Sequence, residues 1–155
     1  MNKWFYFNLF LLMLGVWKIA EQGRLPTHIL FGALGLFLFL FNWTRHAVFS
    51  TIRRTPNRQT KIKLANLSKK IVPFHRWIGT TALILIMIHA ILVIHLFGFS
   101  WQNIKLLNGM LAGAVMIAMV TSGWMRLFRS TARKRVVHIW LGITLFFVII
   151  IHVAM

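Results

Sequence analysis

Five separate stretches of this chain are apolar enough and long enough to cross a hydrocarbon core of about 30 Å, and this repetition constrains the fold more than any other feature. They cover residues 4–19, 28–49, 74–97, 104–128 and 136–154. A backbone inside lipid must satisfy its own polar groups, which a helix does without help from neighbours. The expected fold is an all-α, polytopic membrane bundle of five transmembrane helices, forming one domain over residues 1–155. The first stretch has the basic start and apolar core of a signal peptide. No small-residue cleavage site follows, because residues 18–24 are polar and bulky, so it is read as a retained span.

Charge sets the expected orientation. Residues 50–73 form a basic segment, and Arg45, Arg53, Arg54, Arg58, Lys61, Lys63, Lys69 and Lys70 lie in or beside it. Arg126, Arg129, Arg133, Lys134 and Arg135 sit between the fourth and fifth spans. By the positive-inside rule both groups face the cytoplasm. The chain is then a multi-pass cell-membrane protein with a cytoplasmic N-terminus and an outer C-terminus. Within the basic segment, Thr55-Pro56-Asn57 signals a turn, and Leu64, Leu67 and Ile71 among lysines suit a helix lying on the membrane surface. Two partners suit it: anionic lipid headgroups, or an acidic redox protein. Nucleic acid is not an expected partner.

Composition excludes several chemistries. Glu21 is the single acidic residue and there is no cysteine. A carboxylate pair, a carboxylate-bridged metal centre and an Asp/Glu proton relay cannot be assembled. Disulfides, thiolate metal sites, iron–sulfur clusters and covalent haem attachment are equally excluded. What remains are seven histidines, several inside the spans, where ionisable residues point to function.

Four of them belong to an internal repeat. At an offset of 63 residues, His75 matches His138, Trp77 Trp140, Gly79 Gly142, Thr81 Thr144, Ile86 Ile149, Ile88 Ile151 and His89 His152. Those are seven identities in fifteen positions. Fourteen residues return a helix to within about 40° of its starting face after a rise of about 21 Å. Both histidines of each span therefore face the same way at different depths. The fourth span is one antiparallel connector, so the third and fifth run parallel, with His75 level with His138 and His89 level with His152.

A haem with one axial imidazole from each of two facing helices fits such a level. Two b-type haems are accordingly expected between the third and fifth helices, with the four histidines as iron ligands. Gly79 and Gly142, each four residues after a histidine, would let a flat macrocycle approach the backbone. Arg76, Lys69, Lys70, Arg133 and Arg135 are candidates for the haem propionates, and the positive-inside rule explains them equally well. Trp77, Trp140 and Phe146 are expected to pack the haem faces or the gap between them, and Met87, Met116 and Met119 to be core. His28 and His46 are assigned to helix interfaces or to support of the ligands, and His95 points away from His89. Gly109 and Gly113 make a small-xxx-small pair for helix packing.

The His75-Arg76-x-x-Gly79…His89 run, Thr121-Ser122 late in the fourth span, the basic turn and the His138…His152 run resemble the ferric-reductase-like transmembrane domain of ferric reductases and NADPH oxidases. The resemblance covers the second to fifth spans. It implies that His75 and His138 hold an inner haem and His89 and His152 an outer one. It further implies electron flow from a cytoplasmic flavin to an outer acceptor such as ferric iron, dioxygen or a quinone. Fuller family members carry a sixth helix leading to flavin- and nicotinamide-binding regions. Here three residues follow His152 and no glycine-rich dinucleotide fingerprint is present, so no flavin or NAD(P) site is expected in this chain. The electron donor is then a separate cytoplasmic flavoprotein reductase or a quinol, with additional membrane subunits as possible partners. On this reading the chain is a haem-dependent oxidoreductase or its membrane subunit, with no further catalytic side chain. Two rivals stand beside it: a quinol-oxidising cytochrome b anchor of a multi-subunit oxidoreductase, and a histidine-containing transporter or packing scaffold without haem.

Overall fold

The computed structural model describes residues 3–128 and 131–155. These form five helices: α1 (Lys3–Glu21), α2 (Thr27–Arg54), α3 (Arg58–Phe97), α4 (Ile104–Phe128) and α5 (Ala132–Ala154). Each contains a window long and apolar enough to cross a membrane. The chain is thus an all-helical protein with five candidate membrane spans.

Local chemistry explains the helix ends. Asn57 caps α3, its side chain accepting from the backbone N–H of Gln59 at 2.9 Å and Thr60 at 3.2 Å. Asn103 does the same for α4 through the N–H of Leu106 at 3.0 Å, and Thr131 for α5 through that of Lys134 at 3.3 Å. At the other end of α3, Gly98 takes φ +75°, a value closed to most side chains, and its N–H still bonds the Ile94 carbonyl at 2.9 Å.

The basic segment differs from expectation. No separate surface helix forms: residues 50–54 extend α2, and residues 58–72 run through Pro73 into the apolar span of α3. Pro73 removes one N–H from the helical ladder without ending the helix. At 1.5 Å per residue the 40 residues of α3 extend about 60 Å, roughly twice a hydrocarbon core. The extension is supported by α2, the helix against which α3 packs most extensively. Ile52 of α2 and Ser68 of α3 are both buried in this region, while Leu67 and Ile71 stay exposed.

All five helices contribute to one core of Leu11, Phe39, Leu40, Trp43, Ala82, Ala112, Met116, Leu145 and Phe146. Met116 is core as expected and Met119 packs partly buried against it, whereas Met87 faces outward. Large apolar side chains such as Phe37, Ile84, Ile91 and Phe97 are exposed, which suits a molecule whose solvent is lipid.

Packing groups the helices into two pairs, α2 with α3 and α4 with α5, linked through α3 and α4. Among the described residues, the backbones of α3 and α5 do not pack extensively on one another. The interval between these two helices is bridged by side chains, and these include the repeated histidines.

Candidate functional site

α3 and α5 each carry two histidines fourteen residues apart, and the fold sets them in register. The His75 and His138 rings lie with centroids 6.2 Å apart at an interplanar angle of 77°. His89 and His152 lie with centroids 6.4 Å apart at 83°. Fourteen helical residues place the two pairs about 21 Å apart along the bundle. Among the described residues, no group of three or more His, Cys, Asp or Glu side chains converges on a point.

One ring in each pair is anchored through Nδ1. The His89 Nδ1–H donates to the His28 carbonyl oxygen at 2.6 Å. His138 Nδ1 lies 2.8 Å from the Ser122 hydroxyl and 3.1 Å from the Met119 carbonyl. Ser122 itself donates to Met119 O at 2.7 Å, so its oxygen lone pairs are left for the His138 N–H. A carbonyl only accepts, so these contacts place the imidazole proton on Nδ1 and leave Nε2 as a free electron pair. Nδ1 of His75 and of His152 is buried without a hydrogen-bond partner. His75 is positioned through its backbone instead, its carbonyl accepting from Asn42 Nδ2 at 2.9 Å.

Glycines on α2 and α4 make room for three of the rings. A β-carbon at Gly32 would stand 3.0 Å from His89 Nδ1, at Gly109 2.8 Å from His152 Cε1, and at Gly123 3.4 Å from His138 Cε1. Gly109 therefore seats an imidazole, while Gly113, assigned with it to helix packing, has nothing within 4 Å. Gly79 and Gly142 lie against α2: a β-carbon at Gly79 would meet Asn42 Nδ2 at 3.4 Å, and at Gly142 the Trp43 ring at 2.8 Å.

Two tryptophans of the repeat are elsewhere than expected. Trp77 and Trp140 are 65% and 62% exposed, so neither packs the interval between α3 and α5. Each follows a histidine by two residues, which turns it about 200° around the helix. Phe146 does lie inside. It is fully buried and stacks on Trp43 at 5.3 Å and 19°, and Trp43 stacks on His46 at 5.1 Å and 18°. His46 thus joins an aromatic cluster with Trp4, and His28 packs edge-on to Phe97 and lends its carbonyl to His89. His95 is exposed.

Basic residues near the His75–His138 pair sort by burial. Lys69, Lys70, Arg133 and Arg135 are exposed. Arg76 is half-buried with its guanidinium 5.8 Å from the Trp124 ring, on the side of α3 that meets α4. Trp124 holds that contact by donating from Nε1 to Thr80 Oγ1 at 3.1 Å. Two arginines treated above as orientation signals, Arg45 and Arg126, each bury the guanidinium Nε with no hydrogen-bond partner. No sequence pattern marks that burial, since it is a tertiary property of the packed helices.

Comparison of this chain with family models, with curated protein sequences and with solved structures returns no match.

Proposed function

We propose that this chain is the membrane core of a dihaem b-type electron carrier, resembling the ferric reductase membrane domain. His75 with His138 would hold one haem and His89 with His152 the other. The observation that carries this reading is the separation of the two histidine pairs. An iron about 2 Å from the near nitrogen of each of two imidazoles, with each ring centre ~1.2 Å behind it, sets ring centroids about 6.4 Å apart. The centroids here are 6.2 and 6.4 Å apart. Two imidazoles alone make a poor site for a bare ion, which asks for a third and fourth ligand; a porphyrin brings four of its own.

The haems would supply reversible one-electron chemistry at two depths of the bilayer. The protein's own residues supply the rest. Ser122, Met119 O and His28 O fix ring orientation and leave Nε2 as the unprotonated nitrogen, and such partners also raise ligand basicity. Gly32, Gly109 and Gly123 let α2 and α4 close behind the rings. The buried Phe146, Trp43, Leu145 and Phe39 fill the bundle and keep water out. Donor electrons would enter at the basic, cytoplasmic face beside His75, from a flavoprotein or a quinol, and leave at the face beside His152.

The test is the reduced-minus-oxidised visible spectrum of the purified chain and its single variants. His75→Ala, His89→Ala, His138→Ala and His152→Ala should each remove one b-type signal, and His95→Ala neither. Full haem retention in His75→Ala and His138→Ala, with loss in His46→Ala or His28→Ala, would overturn the ligand assignment.

A further inference from the structure

α3 does not begin where its apolar span begins. The span is Pro73–Phe97, and residues 58–72 continue the same helix ahead of it for about 22 Å. A segment continuous with a crossing helix leaves the bilayer along the helix axis, whereas a separate amphipathic helix lies in the interface. α2 packs on α3 and ends in the same region, where Ile52 and Ser68 are buried, and residues 55–57 close the two helices into a projecting arm. His75 stands two residues past Pro73, so the arm rises from the end of the bundle that holds the His75–His138 pair.

Arg53 and Arg54 end α2, Arg58, Lys61, Lys63, Lys69 and Lys70 follow on α3, and all are exposed. The chain has no carboxylate to answer them. Glu21, its one acidic residue, closes α1 before the start of α2 and pairs with Lys18 at 3.4 Å. Lipid headgroups reach only the base of the arm. Their zone is about 5–7 Å deep on each side of the hydrocarbon core, and the field of an anionic surface fades within a further Debye length of about 8 Å. Lys69 and Lys70 lie about 5 Å ahead of Pro73, whereas Lys63, Lys61 and Arg58 lie about 15, 18 and 22 Å ahead, at or past that limit. Apolar side chains are exposed among these cations. Ile62 is 49% and Leu67 58% exposed, and Leu67 shares a helix face with Lys63 and Lys70 at i, i+4 and i+7. Cations around a few apolar side chains complement an acidic protein surface: the charges steer and orient the partner, and the apolar groups shed water on contact.

We propose that the projecting α2–α3 arm is the docking surface for a soluble protein that presents an acidic patch. Arg58, Lys61 and Lys63 hold the patch at the far end of the arm, with Ile62 and Leu67 in the contact. That this partner is the electron donor to the His75–His138 level rests on the proposed function; the docking surface does not.

The experiment uses the full chain in nanodiscs of neutral phosphatidylcholine and reads binding by biolayer interferometry, with flavodoxin, a small and strongly acidic protein, as the probe. Binding should weaken by about tenfold or more as salt is raised, and the combined variant Arg58→Gln, Lys61→Gln, Lys63→Gln should lose about as much at fixed low salt. Leu67→Ser should weaken it at unchanged charge, which simple ion attraction does not do. Binding that ignores salt, or that is equal in the unsubstituted chain and either variant, would overturn the proposal, as would no binding at all. The membrane alternative is read by trypsin cleavage after Arg58, Lys61 and Lys63 in phosphatidylcholine and in phosphatidylglycerol discs. Equal cleavage in the two leaves the far end of the arm to a protein; protection confined to phosphatidylglycerol would give these cations to the membrane and overturn the proposal. Haem content reports on the other reading. A chain that binds the probe but takes up no haem keeps the docking surface and ends the donor role. Where the combined variant fails to fold, Lys61→Gln alone and Leu67→Ser carry the same test.

Discussion

Gly109 of α4 faces His152 of α5 so closely that a β-carbon at position 109 would stand 2.8 Å from the imidazole Cε1. The relation repeats on the other side of the same pair, where Gly32 of α2 faces His89. Both rings are held from behind by backbone that carries no side chain. Gly109→Ala and Gly32→Ala should each displace a ring and weaken or abolish the b-type signal assigned to His89 and His152, leaving the other intact. Gly113→Ala, which meets nothing within 4 Å, is the control and should keep both signals and full stability. Visible spectra of the three variants decide the matter.

Ser122→Ala removes one of the two acceptors near His138 Nδ1 and leaves the Met119 carbonyl at 3.1 Å. The ring should stay in place but lose part of its orientation. Loss of such a supporting partner weakens metal-centre affinity by about 10–100-fold. Haem transfer to an excess of apomyoglobin should accelerate for one of the two haems. An unchanged transfer rate would remove Ser122 from the account.

Phe146 is fully buried at the centre of the bundle and stacks on Trp43. Phe146→Ala should destabilise the fold by about 3–5 kcal/mol through the cavity it opens. Trp77→Ala, at an exposed position, should cost far less. Thermal unfolding in one detergent, followed by circular dichroism, compares the two directly. Equal losses would contradict the inward and outward placement of these rings.

The spans and the histidine pairs were legible because each rests on a one-dimensional signal. Apolar length marks a span, and the offset of 63 residues between His75 and His138 carries both pairs at once. The repeat also misled: Trp77 and Trp140 belong to it yet lie on the outward face, since identity at matching positions does not say which way a side chain points. The contribution of α2 and α4 could not be read. Asn42, Gly32 and Gly123 reach the histidines only through the packing of helices that share no sequence pattern with α3 and α5. Pro73 hid the continuity of α3, because a proline between a basic and an apolar stretch reads as a boundary.

On the proposed reading the five candidate spans all cross, which puts the two ends of the chain on opposite sides, and the positive-inside rule puts the C-terminus outside. A cysteine appended after Met155 should react with an impermeant maleimide added outside intact cells, and one introduced at Thr55 should not. The reverse pattern would invert the proposed direction of electron flow.

The central claim is that each histidine pair grips one iron porphyrin. Its most direct measurement is the haem-to-protein ratio of the unsubstituted chain, purified after expression with ample haem precursor and assayed as the pyridine haemochrome. The account predicts two haem b per chain. A colourless protein, folded by circular dichroism and free of haem, would contradict it.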